Sequence, residues 1–282
     1  MKTIEQLQEI AAQVRRDIIR MVSNAKSGHP GGSLGCTDVV TALFFEIMDI
    51  NPAQFTISGR GEDMFFLSNG HISPMLYSIL ARRGYFPVNE LGTFRKIGSR
   101  LQGHPTPAEG LPGIRIASGS LGQGLSVAIG AAIAKKHDHD EHLVFALTGD
   151  GELQEGQVWE AFMFAGAKKV DNLIAIIDHN KKQIDGPTDE VLSLGSLKDK
   201  LLAFGWLVLE MDGNKMSEVV STLKKAKSLL HNDKPVVIVM KSEMGMGVDF
   251  MMGTHKWHGT PPNAEQTEKA LAQLPETSLG DY

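Results

Sequence analysis

The chain has 282 residues, 42% of them hydrophobic and 22% charged, the balance of a globular protein able to bury a large core. A formal net charge of −5 with no sustained Lys/Arg stripe argues against nucleic acid as a partner. The single cysteine, Cys36, cannot close an internal disulfide, which fits a reducing compartment; taken alone it reads as a small buried apolar residue.

At the N-terminus, Thr3 and Gln6 form a capping-box pattern, and Ile4, Leu7, Ile10, Ala11, Val14, Ile18 and Met21 follow at helical spacing, so a helix is expected over 4–25. Charges interrupt every apolar run, leaving neither a signal-peptide core nor a membrane span; the expectation is a cytoplasmic protein with no membrane partner. A Gly-rich bend over 27–33 and a helix over 37–48 come next. Met64–Leu67 reads as a short strand ending in Ser68-Asn69-Gly70-His71, followed by a helix over 74–83. A Gly/Pro-rich connection over 98–124 leads into a small-residue helix over 125–136. Leu143–Leu147 is a continuous apolar strand that stops at Gly149-Asp150-Gly151. A helix over 157–168 and a second such strand, Leu173–Ile177, lead to Asp178-His179-Asn180. Trp206–Leu209, a helix over 217–230, and the strand Val236–Met240 complete the alternation. Asn263 caps a last helix to about 274, so 262–282 is a C-terminal helix and tail.

Short apolar strands without alternation are buried on both faces, and helices between them imply a mainly parallel, doubly wound α/β sheet with helices on both faces. With no internal repeat and no evident linker, 1–282 reads as one domain. Ligands of such sheets sit beyond the carboxyl ends of the strands, so function is sought there.

One constellation stands out at those ends. Asp150 lies between two glycines that permit a sharp turn and close approach by a ligand, and Asn180 ends the next strand. A carboxylate and an amide oxygen on one rim suit Mg²⁺, which takes few protein oxygens and completes its octahedron with phosphate and water. Gly-Asp-Gly by itself is more often only a tight turn; Asn180 and the extension Glu152-Leu153-Gln154-Glu155-Gly156 are what favour function.

The string Gly149–Gly156 with Trp159-Glu160-Ala161 resembles transketolase. So do Lys26–Gly32, Leu67–His71, Gly103-His104-Pro105, Gly119–Gly124, Asn180–Gly186 and His258-Gly259, in the family's order from about residue 26 to 260. The resemblance implies a thiamine diphosphate enzyme that transfers a two-carbon ketol unit from a ketose to an aldose. It implies Asp150, Asn180 and the Lys182 carbonyl as ligands of Mg²⁺ (or Ca²⁺ or Mn²⁺). It implies Gly151, His71 and His258 as diphosphate contacts, Gly119 and Leu121 near the bend of the cofactor, and His29 and His104, with His258, as catalytic histidines. Glu155 matches a glutamate of subunit contact and cofactor activation. The cofactor supplies the electron sink; the protein supplies orientation and proton transfers, for which histidine is suited.

An isolated histidine is more often structural than catalytic. His29, His71 and His104 each follow glycine in a Gly/Pro-rich bend, which favours exposure to a cleft; His258 rests more on the resemblance, and His179 reads as a neighbour of the site. The run Lys135–His142 reads as a solvated loop rather than a metal cluster.

The resemblance covers this chain but only the first half of a full-length transketolase. It therefore implies the N-terminal subunit of a split enzyme, completed by a C-terminal subunit that carries the pyrimidine-binding domain, the activating glutamate and most groups that hold the sugar phosphate, in an α2β2 heterotetramer acting on small sugar phosphates. Alternatives are a deoxyxylulose-phosphate synthase-like or two-oxoacid decarboxylase-like subunit, which share Gly-Asp-Gly…Asn, and a scaffold subunit without catalysis of its own. A dinucleotide-binding module is weaker, because Gly119-x-x-Gly122-x-Gly124 lacks the Gly-x-Gly-x-x-Gly order after a strand.

Overall fold

The computed structural model describes residues 2–282. Its centre is a five-stranded parallel sheet of β1 (Met64–Leu67), β2 (Val144–Gly149), β3 (Leu173–His179), β6 (Leu207–Asp212) and β7 (Val236–Lys241), in the order β1-β2-β3-β7-β6. A two-stranded hairpin, β4 (Lys182–Gln183) with β5 (Gly186–Pro187), follows β3.

Both faces of the sheet are covered, as unbroken apolar strands require. Phe65, Leu67, Phe145, Leu147, Ile174, Ile176, Val236 and Ile238 point to one side. There they meet α1 (Ile4–Ala25), α3 (Thr37–Ala42), α4 (Ser73–Arg83) and α9 (Met216–Ser228). Met64, Phe66, Val144, Ala146, Leu173, Ala175, Ile177, Val237 and Val239 point to the other, against α5 (Gly124–His137), α6 (Gly156–Ala167) and α8 (Leu197–Ala203). The doubly wound α/β expectation holds. The chain steps from β1 to β3, passes to edge strand β6, and returns through α9 to insert β7 beside β3. The ends of β1, β2, β3 and β7 thus converge on one rim.

The capping box at Thr3 is present, as is one at Asn263 ahead of α10 (Ala264–Gln273). The tail beyond α10 packs on α1: Arg16 donates to Asp281 Oδ1 and Oδ2 at 2.9 and 2.8 Å.

Several local expectations are corrected. The bend over 27–33 is in part helical, as α2 (Pro30–Gly35). Pro30 starts it without losing a hydrogen bond, and Ser33 Oγ donates to His29 O at 2.7 Å. Its glycines serve packing: a Cβ on Gly31 would lie 2.6 Å from Met244 Cγ, and one on Gly35 would lie 2.9 Å from Glu243 O. The helix over 37–48 is α-helical to Ala42 and then a π turn, Leu43–Ile47. The hairpin, α7 (Thr188–Leu192) and α8 have no counterpart in the sequence reading. The 135–142 run is not a plain solvated loop. Lys135 is buried, donating to Gly59 O at 2.8 Å and Asp140 Oδ2 at 2.7 Å, while His142 Nδ1 lies 2.6 Å from Asp140 Oδ1. An ammonium enclosed in this way stays only because carbonyl and carboxylate replace its water.

Candidate active site

Gly149, the last residue of β2, pairs with Asp178 on β3, and Asp150 N donates to Asp178 O at 3.0 Å. Parallel register therefore places Asp150 and Asn180 on adjacent strand ends. The Asp150 carboxylate accepts from Gly151 N at 2.8 Å through Oδ1 and from Lys181 N at 2.6 Å through Oδ2. Lys181 reaches it from a left-handed conformation, φ 61°. The Asn180 amide is held at both ends: Nδ2 donates to Asp178 Oδ2 at 2.8 Å, and Oδ1 accepts from Lys182 N at 2.9 Å.

Burial, and then the Asp178 carboxylate beside it, push the Asp150 pKa up to about 8, against the pull of its N–H donors. Burial likewise raises Asp178, opposed by hydrogen bonds from Ser242, Cys36 and Asn180. Two carboxyl groups out of water at one rim form an electrostatic deficit that a divalent cation would fill.

Above this rim four imidazoles cluster. His29 caps the start of α2, His71 follows β1 in a 3-10 turn (Gly70–Ile72), and His104 and His258 arrive on loops. The His29 ring centroid lies 5.1 Å from His71, 6.2 Å from His104 and 5.8 Å from His258; His71 and His258 are 5.0 Å apart. Burial, reinforced by His258, Arg95 and His104, lowers the His29 pKa to about 4. Burial lowers His71, His104 and His258 as well. Neutral imidazoles result, each with one N–H to donate and one lone pair to accept a proton.

The carboxylates and histidines wall a cavity of about 290 Å³, also lined by Gly119, Leu121, Gly151 and Lys182. Buried Nδ1 atoms of His29 and His258 and Oδ1 of Asn69 have no hydrogen-bond partner among the described residues. Buried polar atoms without partners around a cavity fit a polar ligand that satisfies them. The donor set fits a diphosphate held through a divalent cation, with imidazole N–H groups for its oxygens. Of the residues expected at the site, the structure brings all but one to the cavity wall. Glu155 is exposed beside it, its Cβ 3.3 Å from where a Cβ on Gly122 would stand. The Gly119–Gly124 turn follows a loop rather than a strand, and Gly122 N donates to Glu152, so the dinucleotide fingerprint finds no support.

Sequence reasoning missed three anchoring residues. Glu152 is buried; its Oε1 accepts from Gly122 N at 2.8 Å and from Ser68 Oγ, and its Oε2 accepts from Gly149 N at 3.1 Å. Its place directly after Gly-Asp-Gly was the available signal. Asp178, two residues before Asn180, orients the amide. Glu243, after β7, accepts from Lys182 Nζ at 3.1 Å and from Gly253 N at 2.8 Å, and its own N–H donates to Asn214 Oδ1 at 2.7 Å. No sequence pattern announces that junction.

The family model described as the thiamine diphosphate binding domain of transketolase matches residues 6–276. Over 273 residues the chain is 41% identical to one of the subunits of an apulose-4-phosphate transketolase from Phocaeicola vulgatus, covering 97% of this chain and 95% of that protein. It is 40% identical over 268 residues to a 6-deoxy-6-sulfo-D-fructose transketolase subunit of a Clostridium species, covering 95% and 96%. Among solved structures, the transketolase of Campylobacter jejuni superposes with a TM-score of 0.88 at 34% identity, over 97% of this chain but 43% of that one. The chain thus spans less than half of the longer transketolase and nearly all of the subunits.

Proposed function

The chain belongs to the transketolase family through its thiamine diphosphate binding domain, and on that footing we propose that it is the diphosphate- and metal-binding subunit of a two-chain transketolase. The reaction is transfer of a two-carbon ketol unit from a ketose, phosphorylated or otherwise acidic, to an aldose. The observation that carries this reading is the Asp150–Asn180 rim at two adjacent strand ends beneath four neutral histidines.

In this reading Asp150, the Asn180 amide oxygen and the Lys182 carbonyl hold Mg²⁺; Ca²⁺ or Mn²⁺ would meet the same oxygens. Gly151 N–H, His71 and His258 donate to the diphosphate, and Gly119 and Leu121 face the bend of the cofactor. When bound, thiamine diphosphate supplies the reactive carbon and the electron sink for carbon–carbon bond cleavage. The chain's part is orientation and proton movement. His29 and His104 hold the ketose carbonyl oxygen and the neighbouring hydroxyl, and a neutral imidazole accepts that hydroxyl proton as the bond breaks. The depressed pKa of His29 keeps its lone pair available at neutral pH.

The second subunit supplies the pyrimidine-binding domain and the glutamate that activates the cofactor, in an α2β2 assembly. Leu121, Val127, Ile133, Met163 and Phe164 are exposed apolar side chains at the pocket rim and on α5 and α6, which supports burial against another chain. Glu155, exposed beside the pocket, is placed to meet it. A cytoplasmic site of action accords with one buried thiol, and no helix among the described residues is long and apolar enough to cross a membrane. The test is to co-purify the partner and assay the complex with ketose and with pyruvate as donor. Ketol transfer from ketose, absent from either chain alone and abolished by Asp150→Ala, is expected. Turnover of pyruvate alone, or an unaffected Asp150→Ala complex, would defeat the reading.

A further inference from the structure

His29 and His104 arrive on separate loops, yet their ring centroids stand 6.2 Å apart. A third side chain joins those loops from outside the cavity, whose lining does not include it. Arg95 Nη1 donates to Ser27 Oγ at 3.1 Å, two residues ahead of His29. Its guanidinium also lies against Gly103, next to His104: a Cβ there would stand 2.5 Å from Cζ and 2.7 Å from Nη2.

The backbone commits Arg95 to this seat. Its φ is 58°, a left-handed value uncommon outside glycine. Its N–H donates to Leu101 O at 2.9 Å, closing a loop over 95–101 that returns the chain to Gly103. The Phe94 ring supports the guanidinium, with Cζ 5.5 Å from its centroid. The same ring backs the histidine bend, since a Cβ on Gly28 would lie 3.4 Å from Phe94 Cε1.

The charge has no partner. No carboxylate lies within 4.0 Å of Arg95 among the described residues, and its buried Nε has no hydrogen-bond acceptor there. Partly buried cations are ordinarily paired. An unpaired cation beside imidazoles makes a second proton on either ring unfavourable. Burial and then Arg95 lower His104; burial, His258, Arg95 and His104 lower His29. His71 and His258 also face the pair, and no carboxylate opposes the effect.

We propose that Arg95 is a positioning residue for the His29–His104 pair, clamping the loop that carries one against the loop that carries the other. The inference rests on the transketolase reading and extends it to a side chain outside the cavity. The planar fork reaches Ser27 and Gly103 at once, which an ammonium cannot do. Gly103 is glycine because any side chain would take the guanidinium's place.

The experiment has two arms. Imidazole signals of the isotope-labelled chain are followed by NMR against pH, and the complex with its partner is assayed with a phosphorylated and an uncharged ketose. Arg95→Met should move the His29 and His104 titrations to higher pH. It should lower kcat about tenfold or more with both donors, leave KM little changed, and move the acid limb of the kcat profile upward. Arg95→Lys should return the titrations toward wild type and recover only part of kcat. Should Arg95→Met not fold, Gly103→Ala, which drives the guanidinium from its seat, carries the same test on His104. Unmoved titrations overturn the proposal. So do moved titrations with unchanged kcat and acid limb, and so does a KM rise confined to the phosphorylated donor, which would make Arg95 a substrate contact. A wild-type complex that turns over no ketose fails the transketolase reading instead, and the titrations of the chain alone then decide for or against the clamp.

Discussion

Asp178 holds the side chain of Asn180: its Oδ2 accepts from the Asn180 amide nitrogen at 2.8 Å. That bond decides which end of the amide turns toward the proposed cation site, because the nitrogen is committed to the carboxylate. A residue that fixes a ligand's orientation is typically worth 10–100-fold in metal affinity. Asp178→Leu should therefore weaken Mg²⁺-dependent cofactor binding by about tenfold or more, read by calorimetry on the isolated chain. Wild-type affinity in that variant would show that Asn180 needs no such support.

Asp150 is maintained at a cost to the empty protein. Its folded pKa of about 8 lies above the ordinary value of 3.8, so the folded state holds the proton more tightly than the unfolded state. Stability from this group is present at low pH and is lost as pH rises through about 8. Asp150→Asn removes that loss. At pH 8 without ligand it should unfold with ~1–2 kcal/mol more stability than wild type, while gaining nothing from added cofactor and Mg²⁺. Denaturant titrations with and without ligand give both readings; a less stable variant would contradict the first.

His29 acts in the opposite direction. Its pKa falls from 6.5 to about 4 on folding, so the unfolded chain takes up its proton first as the medium acidifies. Its contribution is complete above pH 6.5 and disappears as pH drops toward 4. The stability difference between wild type and His29→Asn isolates that slope from other titrating groups. A flat difference across the window would mean that His29 titrates normally.

Glu152 receives three donors, from Ser68, Gly122 and Gly149, in a buried setting. Glu152→Ala leaves them without an acceptor, at ~2–4 kcal/mol on the scale of buried unmet hydrogen bonds. It also frees the Gly119–Gly124 turn. Lower thermal stability and a weaker hold on the cofactor should appear together. Loss of binding with unaltered stability would assign Glu152 to ligand contact instead.

The sheet was legible because unbroken apolar runs such as Leu173–Ile177 admit few structures, and their polar terminators mark the ligand-binding edge. Asp150 and Asn180 stood out for the same reason, whereas His29, His71 and His104 were marked by glycine-preceded bends and His258 mainly by the resemblance. The Pro30–Gly35 helix was not legible, because Gly31 and Gly35 answer to Met244, Trp257 and Glu243, more than two hundred residues away. Lys135 looked solvated because its partners, Gly59 and Asp140, matter through burial, which local charge patterning does not report. Glu243 was invisible for a similar reason. Its value lies in joining segments that are distant in the chain.

That junction makes the turn after β3 and the histidine loop a single inheritable unit. One carboxylate grips Lys182 on one side and the backbone of Gly253 on the other, five residues ahead of His258. A chimera that imports a foreign 253–259 loop, or retunes position 182 for another ion, disturbs both unless Glu243 travels with them. On the proposed reading, engineering of metal preference and of histidine chemistry must therefore proceed jointly.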